Sequence, residues 1–362
     1  MKGLSTRLPV AFIGLLLFLL AQPLQAATKV VIRVGHFPNL THAQGLIGHG
    51  FSRAGKGWFE ERLGPEIEIQ WFVYNAGPSA MEAILAGSID LTYVGPSPAV
   101  NAHTASNGKE IRIVAGAASG GAALVVRDGS GIRTEADFKG KKVATPQFAN
   151  TQDIAARSWL RSKGFRVTVT GGDVFVIPTQ NSDQLTLFQR GLMDAAWIVE
   201  PWVTRLVSEA NGQIYLDESL LWPETGGKYV TTHLVSSVRF LTQQPALLKK
   251  WITAHVELTD WINQKPEEAK QLLNTEIQQE TTRPLPKEIL DPAWKRIEFT
   301  TDPVRRSLVK SASDAAGLGL LQGTPDLSKI YELSVLNEIL REKGRPAIED
   351  STSSEPRGGG TR

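Results

Sequence analysis

The chain contains no cysteine among its 362 residues, which excludes disulfides, thiol nucleophiles, cysteine-ligated zinc and a cysteine-borne lipid anchor. It also has no G-x-S-x-G turn, no G-x-x-x-x-G-K-[ST] phosphate loop and no H-E-x-x-H helix, so the usual sequence marks of serine hydrolases, P-loop nucleotidases and zincins are missing. The glycines of GLGLLQG, from Gly317, have neither the spacing nor the setting of a dinucleotide fingerprint. Neither sign of charge dominates, with 39 Lys and Arg against 37 Asp and Glu.

The apolar run Val10–Ala21 follows Lys2 and Arg7 and precedes Gln-Pro-Leu-Gln-Ala-Ala. It is short of the roughly 20 residues needed to span a bilayer. Its basic start and the small residues after it describe a secretory signal peptide over 1–26, cut after Ala26 or Ala27; an uncleaved anchor is the alternative. Losing Lys2 and Arg7 leaves 37 basic and 37 acidic residues. A neutral chain implies no polyanion and no nucleic-acid partner. The expectation is a freely soluble, monomeric periplasmic protein that folds on its core alone.

What the chain does have is a doubled pattern. MEAILAGSIDLTYVGPSP (Met81–Pro98) and LTLFQRGLMDAAWIVEPW (Leu185–Trp202) lie 104 positions apart, aligning Gly87 with Gly191, Asp90 with Asp194 and Tyr93 with Trp197. Each reads as an amphipathic helix ended by glycine, then an apolar strand entering a proline-containing turn. Such turns are where α/β sheets expose ligand-facing loops. Two similar lobes facing each other would make a clamp.

Strand and helix patterns alternate along the chain, predicting a largely parallel sheet covered on both faces. KVVIRVGHF and IEIQWFVY read as strands, with one helix between them over NLTHAQGLIGHGFSRAGKGWFEERLG. KYVTTHLVSSVRFL reads as a strand returning to the first lobe. Leu247, Leu248, Trp251, Ile252, His255, Leu258 and Trp261 share one helical face. The boundaries expected are 28–120 with 222–345 for lobe 1 and its C-terminal helices, 121–221 for lobe 2, and a disordered tail over 346–362.

Polar residues recur at the starts of predicted helices: Asn39, Thr41 and His42; Gly77, Pro78 and Ser79; Ser97; and, in the second lobe, Asn150, Thr151 and Gln152. Helix N-termini carry unpaired N–H groups and partial positive charge, so several aimed at one cleft hold an anion without arginine. The same residue types are also ordinary N-caps. Glu200 and Trp202 of the EPW turn are candidate ligand contacts, or else a packed turn. Thr231, Thr232 and His233 lie where the chain crosses between lobes. His36, His42 and His49 fall close together, but no further histidine or acidic cluster accompanies them, so neither a metal nor a cofactor is expected.

GHFPNLTHAQ (Gly35–Gln44), NAGPSAMEAILAGSIDLTYVGPSPAVNA (Asn75–Ala102), AAWIVEPWVTRL (Ala195–Leu206) and KYVTTHLV (Lys228–Val235) together resemble the substrate-binding proteins of ABC importers for aliphatic sulfonates, nitrate and taurine. The resemblance covers roughly Val30 to Leu340. It implies a type II periplasmic binding fold, in which two α/β lobes joined by two crossing segments hold a ligand and present it to an inner-membrane ABC permease. Carried over by position, it implies ligand contacts from His36, Asn39, Thr41, Gly77, Pro78, Ser79, Ser97, Asn150, Thr151, Gln152, Glu200 and Trp202, to which Thr232 of the crossing segment is added, with no catalytic residue. QFANTQD stands where relatives often have Ser/Gly-rich or Ser-His sequences. The ligand implied first is an aliphatic sulfonate; nitrate, taurine, bicarbonate and a thiamine pyrimidine precursor are alternatives. An enzyme or a sensor on the same scaffold is the competing class.

Overall fold

The computed structural model describes residues 29–321 and 325–348, with Gly3 alone ahead of them. The rest of the expected signal peptide, and the part of the expected tail beyond 348, lie outside the described residues.

The β-branched start forms β1 (Val30–His36). One helix was expected next. Instead a 3-10 turn at Leu40–His42 leads into α1 (Ala43–Arg53), and α2 (Trp58–Leu63) is separate. The break falls at Gly55, whose φ of 70° no helical residue adopts. The chain continues through β2 (Ile67–Val73), α3 (Gly77–Leu85), β3 (Leu91–Val94), α4 (Pro96–Ala105) and β4 (Ile111–Gly120). Gly120 and Gly121, both at positive φ, turn it into β5 (Ala122–Arg127). Then come β6 (Lys142–Thr145), α5 (Thr151–Ser162), β7 (Phe175–Pro178), α6 (Asn181–Gln189), β8 (Ala195–Val199), α7 (Trp202–Glu209) and β9 (Gly212–Asp217). β10 (Val230–Ser237) precedes α8 (Val238–Gln243), α9 (Pro245–Gln264), α10 (Pro266–Thr281), α11 (Lys287–Lys295), β11 (Ile297–Phe299), α12 (Arg305–Gly317) and α13 (Ser334–Glu342).

Two sheets result, in the orders β11-β4-β10-β3-β1-β2 and β7-β6-β8-β5-β9. Both are mixed, correcting the expectation of a largely parallel arrangement. The crossing strands are the cause. β10 returns to the first sheet and lies antiparallel to both β3 and β4, while β5 enters the second antiparallel to β8 and β9.

The doubled sequence pattern is a structural repeat. Gly87 and Gly191 end their helices at φ 70° and 71°, a conformation that favours glycine. Asp90 exchanges two bonds with the main chain of Arg33: its N–H donates to Arg33 O (2.8 Å) and its carboxylate accepts from Arg33 N–H (2.9 Å). Asp194 makes the same pair of bonds with Lys142, at 3.0 and 2.9 Å. Each aspartate thus ties the start of one strand, β3 or β8, to its parallel neighbour, β1 or β6. Tyr93 and Trp197 follow and are fully buried.

The C-terminal helices cover the first sheet. Leu248, Trp251, Ile252, His255 and Leu258 of α9 are buried, and Trp251 stacks on Phe59 at 4.1 Å between ring centroids. Each buried leucine or isoleucine of this face contributes about 1.5–3 kcal/mol. Among the described residues no helix is long and apolar enough to cross a membrane.

Candidate functional site

A cavity of about 30 Å³ lies where the two sheets' C-terminal loops meet. Phe37, Asn39, Thr41 and His42 line it from the segment after β1; Asn75, Ala76 and Gly77 from the start of α3; and Gly95 and Pro98 from α4. The second lobe contributes Pro146, Asn150, Thr151 and Gln152 around the start of α5, Asn181 of α6, and Val199. Thr231 of β10 completes the wall. No Asp, Glu, Lys or Arg is among these residues.

The helix starts decide the electrostatics. Asn150 caps α5, its side chain accepting from Asp153 N–H at 2.9 Å. The N-caps of α3 and α4 are Ala76 and Gly95, which have no capping side chain, and Gln180 of α6 makes no cap bond. First-turn N–H groups have no acceptor within their own helix. Those of α3 and α4 therefore remain available for an acceptor in the cavity, where the partial positive charge of the helix ends favours an anion. Prolines at 78, 96 and 98 remove some of these donors, leaving the N–H groups of Gly77, Ser79 and Ser97, of which Gly77 belongs to the cavity wall.

His42 is the one lining group that titrates near neutrality when free. Burial holds its pKa at about 3, so the imidazole is neutral, and its Nδ1 has no hydrogen-bond partner among the described residues.

Of the sequence-derived candidates, Asn39, Thr41, Gly77, Asn150, Thr151 and Gln152 line this cavity. Pro78, Ser79 and Ser97 sit in the first turns of α3 and α4 without lining it; Ser79 Oγ meets Gln147 of the second lobe at 3.4 Å. The remaining candidates lie elsewhere. His36 is buried against His49 and Glu280. Thr232 lies on β10, its hydroxyl buried with no partner among the described residues, and it is the adjacent Thr231 that lines the cavity. Successive residues of a strand point to opposite faces, so the two threonines face different sides.

Glu200 is fully buried but does not line the cavity. Its carboxylate accepts from the N–H and hydroxyl of Thr204 at 3.1 and 3.0 Å. It also lies 2.9 Å from Nε of Arg296, which pairs with Asp217 as well. Burial pushes the Glu200 carboxyl up to about 7, against the opposing pull of Thr204 and Arg296. Because Arg296 precedes β11 of the first sheet and Glu200 follows β8 of the second, this ion pair joins the lobes. The Glu200–Pro201 bond is cis.

Trp202 also reaches across, donating its indole N–H to Asn39 Oδ1 at 3.1 Å. It stands in a separate groove of about 510 Å³ with Val73, Leu185 and Arg205. Asn39, Asn75 and Asn181 line both this groove and the small cavity. His42 and Thr231, legible in sequence as helix-start and crossing residues, thus line the cavity, and Asn75 and Asn181 are lining residues that sequence did not single out. The asparagines gave no signal beyond their nearness to predicted turns.

Comparison with known proteins agrees with this architecture. The chain is 29% identical over 170 residues to a putative aliphatic sulfonates-binding protein of Escherichia coli, a match covering 47% of this chain. That match spans about half (51%) of the relative's length. The alkanesulfonate-binding protein SsuA of Xanthomonas axonopodis, solved with MOPS, superposes with a TM-score of 0.67 at 19% identity, covering 85% of this chain and all of that one. The periplasmic nitrate-binding protein NrtA of Synechocystis superposes at 0.69 with 14% identity, covering 87% and 89%. At such identities these two establish the fold alone: the two-lobed architecture of periplasmic binding proteins. The pattern that defines the NMT1-like family matches residues 25–275, and the chain belongs to that family.

Proposed function

We propose that this chain is the periplasmic solute-binding component of an ABC importer and takes a small organic anion, an aliphatic sulfonate, between its lobes. The observation that carries the reading is the neutral cavity walled in part by the starts of α3 and α4, which lack capping side chains. An anionic head group held there accepts the unpaired N–H groups without having to displace a carboxylate. The cavity has room for about two water molecules, which suits a head group and not a chain. The adjoining groove, reached past Asn39, Asn75 and Asn181, offers Trp202, Val73 and Leu185 to an alkyl tail. The names of the sulfonate-binding relatives support the same choice.

In this reading the protein does no covalent chemistry. Contacts from both lobes favour the closed form, which a membrane permease then recognises, and the shift is one of populations. Lobe 1 comprises 28–120 and 222–345, lobe 2 comprises 121–221, and the chain acts as an exported monomer after cleavage near Ala26. The head-group contacts we assign are Asn39, Thr41, Gly77, Asn150, Thr151 and Gln152, with His42 and Thr231 added. The small size of the cavity favours a second reading, nitrate or bicarbonate, which have no tail to accommodate.

A thermal-shift series with alkanesulfonates, taurine, nitrate, bicarbonate and a thiamine pyrimidine precursor separates these readings. A ligand at about a hundred times its dissociation constant stabilises the fold by roughly 2.7 kcal/mol. Stabilisation by sulfonates is the expected result. Turnover of a solute, with no solute shifting the melting temperature, would favour the enzyme class instead.

A further inference from the structure

The histidines near the first strand meet two carboxylates contributed from more than two hundred residues away. His36 Nε2, at the end of β1, lies 3.0 Å from His49 Nδ1 of α1 and 3.2 Å from Glu280 Oε1 of α10. His49 Nδ1 is 3.1 Å from the same Glu280 oxygen. Glu276, one turn back on α10, approaches His49 Nδ1 at 3.1 Å and pairs with Arg53. The side chains of His36, Glu276 and Glu280 are at most 2% exposed.

From this cluster we infer a binding site for a divalent transition-metal ion of the zinc type, with His36 Nε2, His49 Nδ1 and Glu280 Oε1 as its three protein ligands. Two nitrogens and a carboxylate oxygen are the donors such an ion selects. Metal–ligand distances of about 2.0–2.1 Å put the edge of a coordination tetrahedron at about 3.3 Å. The observed triangle, with edges of 3.0–3.2 Å, needs to open by only a few tenths of an ångström. The two imidazole planes are inclined at 72°.

Charge favours occupation. Two buried carboxylates, Glu276 and Glu280, face the histidines, and Arg53 pairs with Glu276. Arg53 Nη2 stands 3.0 Å from His49 Nε2; ligation through Nδ1 requires the His49 proton on Nε2, which leaves Arg53 with Glu276 alone. Glu280 also lines the groove beside Trp202, which provides an entry path and a position for a water ligand. The ion would anchor the end of β1 three residues before Asn39 of the cleft.

The test uses the full exported chain, stripped with EDTA and titrated with Zn2+ against a chromophoric chelator. One equivalent is expected, with affinity falling at least a hundredfold in both H49Q and E280Q. Fewer than 0.1 equivalents, or unchanged binding in H49Q, would overturn the inference. Should the variants not fold, Co2+ added to the unaltered chain decides it. Intense visible bands of a tetrahedral site support it, and the weak spectrum of hydrated Co2+ refutes it.

Discussion

Gly95, at the start of α4, faces Thr151, at the start of α5, so closely that a Cβ on the glycine would lie 2.3 Å from Thr151 Oγ1. The two residues belong to different lobes, and both line the small cavity. Gly95 has an extended backbone (φ −70°, ψ 163°) open to any residue. It is glycine for want of space between the lobes. Gly95→Ala is therefore expected to hold the lobes apart, weakening ligand binding at least tenfold in calorimetric titration while the melting temperature moves by only a few degrees. Loss of fold with loss of binding would show the contact to be part of the core.

Trp202→Phe removes the indole N–H that reaches Asn39 but keeps a ring in the groove. One hydrogen bond contributes about 1 kcal/mol, or roughly fivefold in affinity. Affinity should fall by that factor with stability nearly unchanged. If stability falls and affinity does not, the bond serves packing alone.

Thr231→Val and Thr232→Val differ by one position on β10 and should differ in kind. The first removes, from a residue of the cavity wall, a hydroxyl that donates to Ala118 O at 3.2 Å, and is expected to weaken binding several-fold. The second replaces a buried hydroxyl that has no partner among the described residues, a change that is neutral or slightly stabilising and should leave affinity unchanged. Equal effects on affinity would place both hydroxyls at the ligand.

The same pair of threonines shows how far sequence reading reaches. Strand and helix periodicity identified nearly every element of the lobes, because each buries one face and so imposes a period on its residues. The aspartates of the doubled pattern were legible for the same local reason. What required coordinates was phase and long-range contact. Sequence alone does not say which of Thr231 and Thr232 lines the cavity. Glu200 reads as a ligand contact until Arg296, far along the chain, is seen beside it. His36 and His49 lack metal-ligand company until α10 brings Glu280 to them.

Arg296→Met should make stability more sensitive to pH. The Glu200 carboxyl titrates at about 7 in the fold against an ordinary 4.5, chiefly because it is buried. The native state therefore keeps a proton that the unfolded chain has lost, and stability falls as pH rises from 4.5 to about 7, by at most about 1.4 kcal/mol per unit. Without the guanidinium the native pKa rises further, extending that fall to higher pH. Chemical denaturation at pH 6 and pH 8 is expected to show a larger deficit for the variant at pH 8. An equal deficit at both would mean that Arg296 acts through packing alone.

Calorimetric titration of the intact chain with alkanesulfonates of one to six carbons, and with nitrate, tests the central claim most directly. One anion per chain is expected, with affinity rising with chain length as the tail covers Trp202 and Val73. Failure of every such anion to bind, or binding that is indifferent to the tail and strongest for nitrate, would contradict an aliphatic sulfonate held in this cleft.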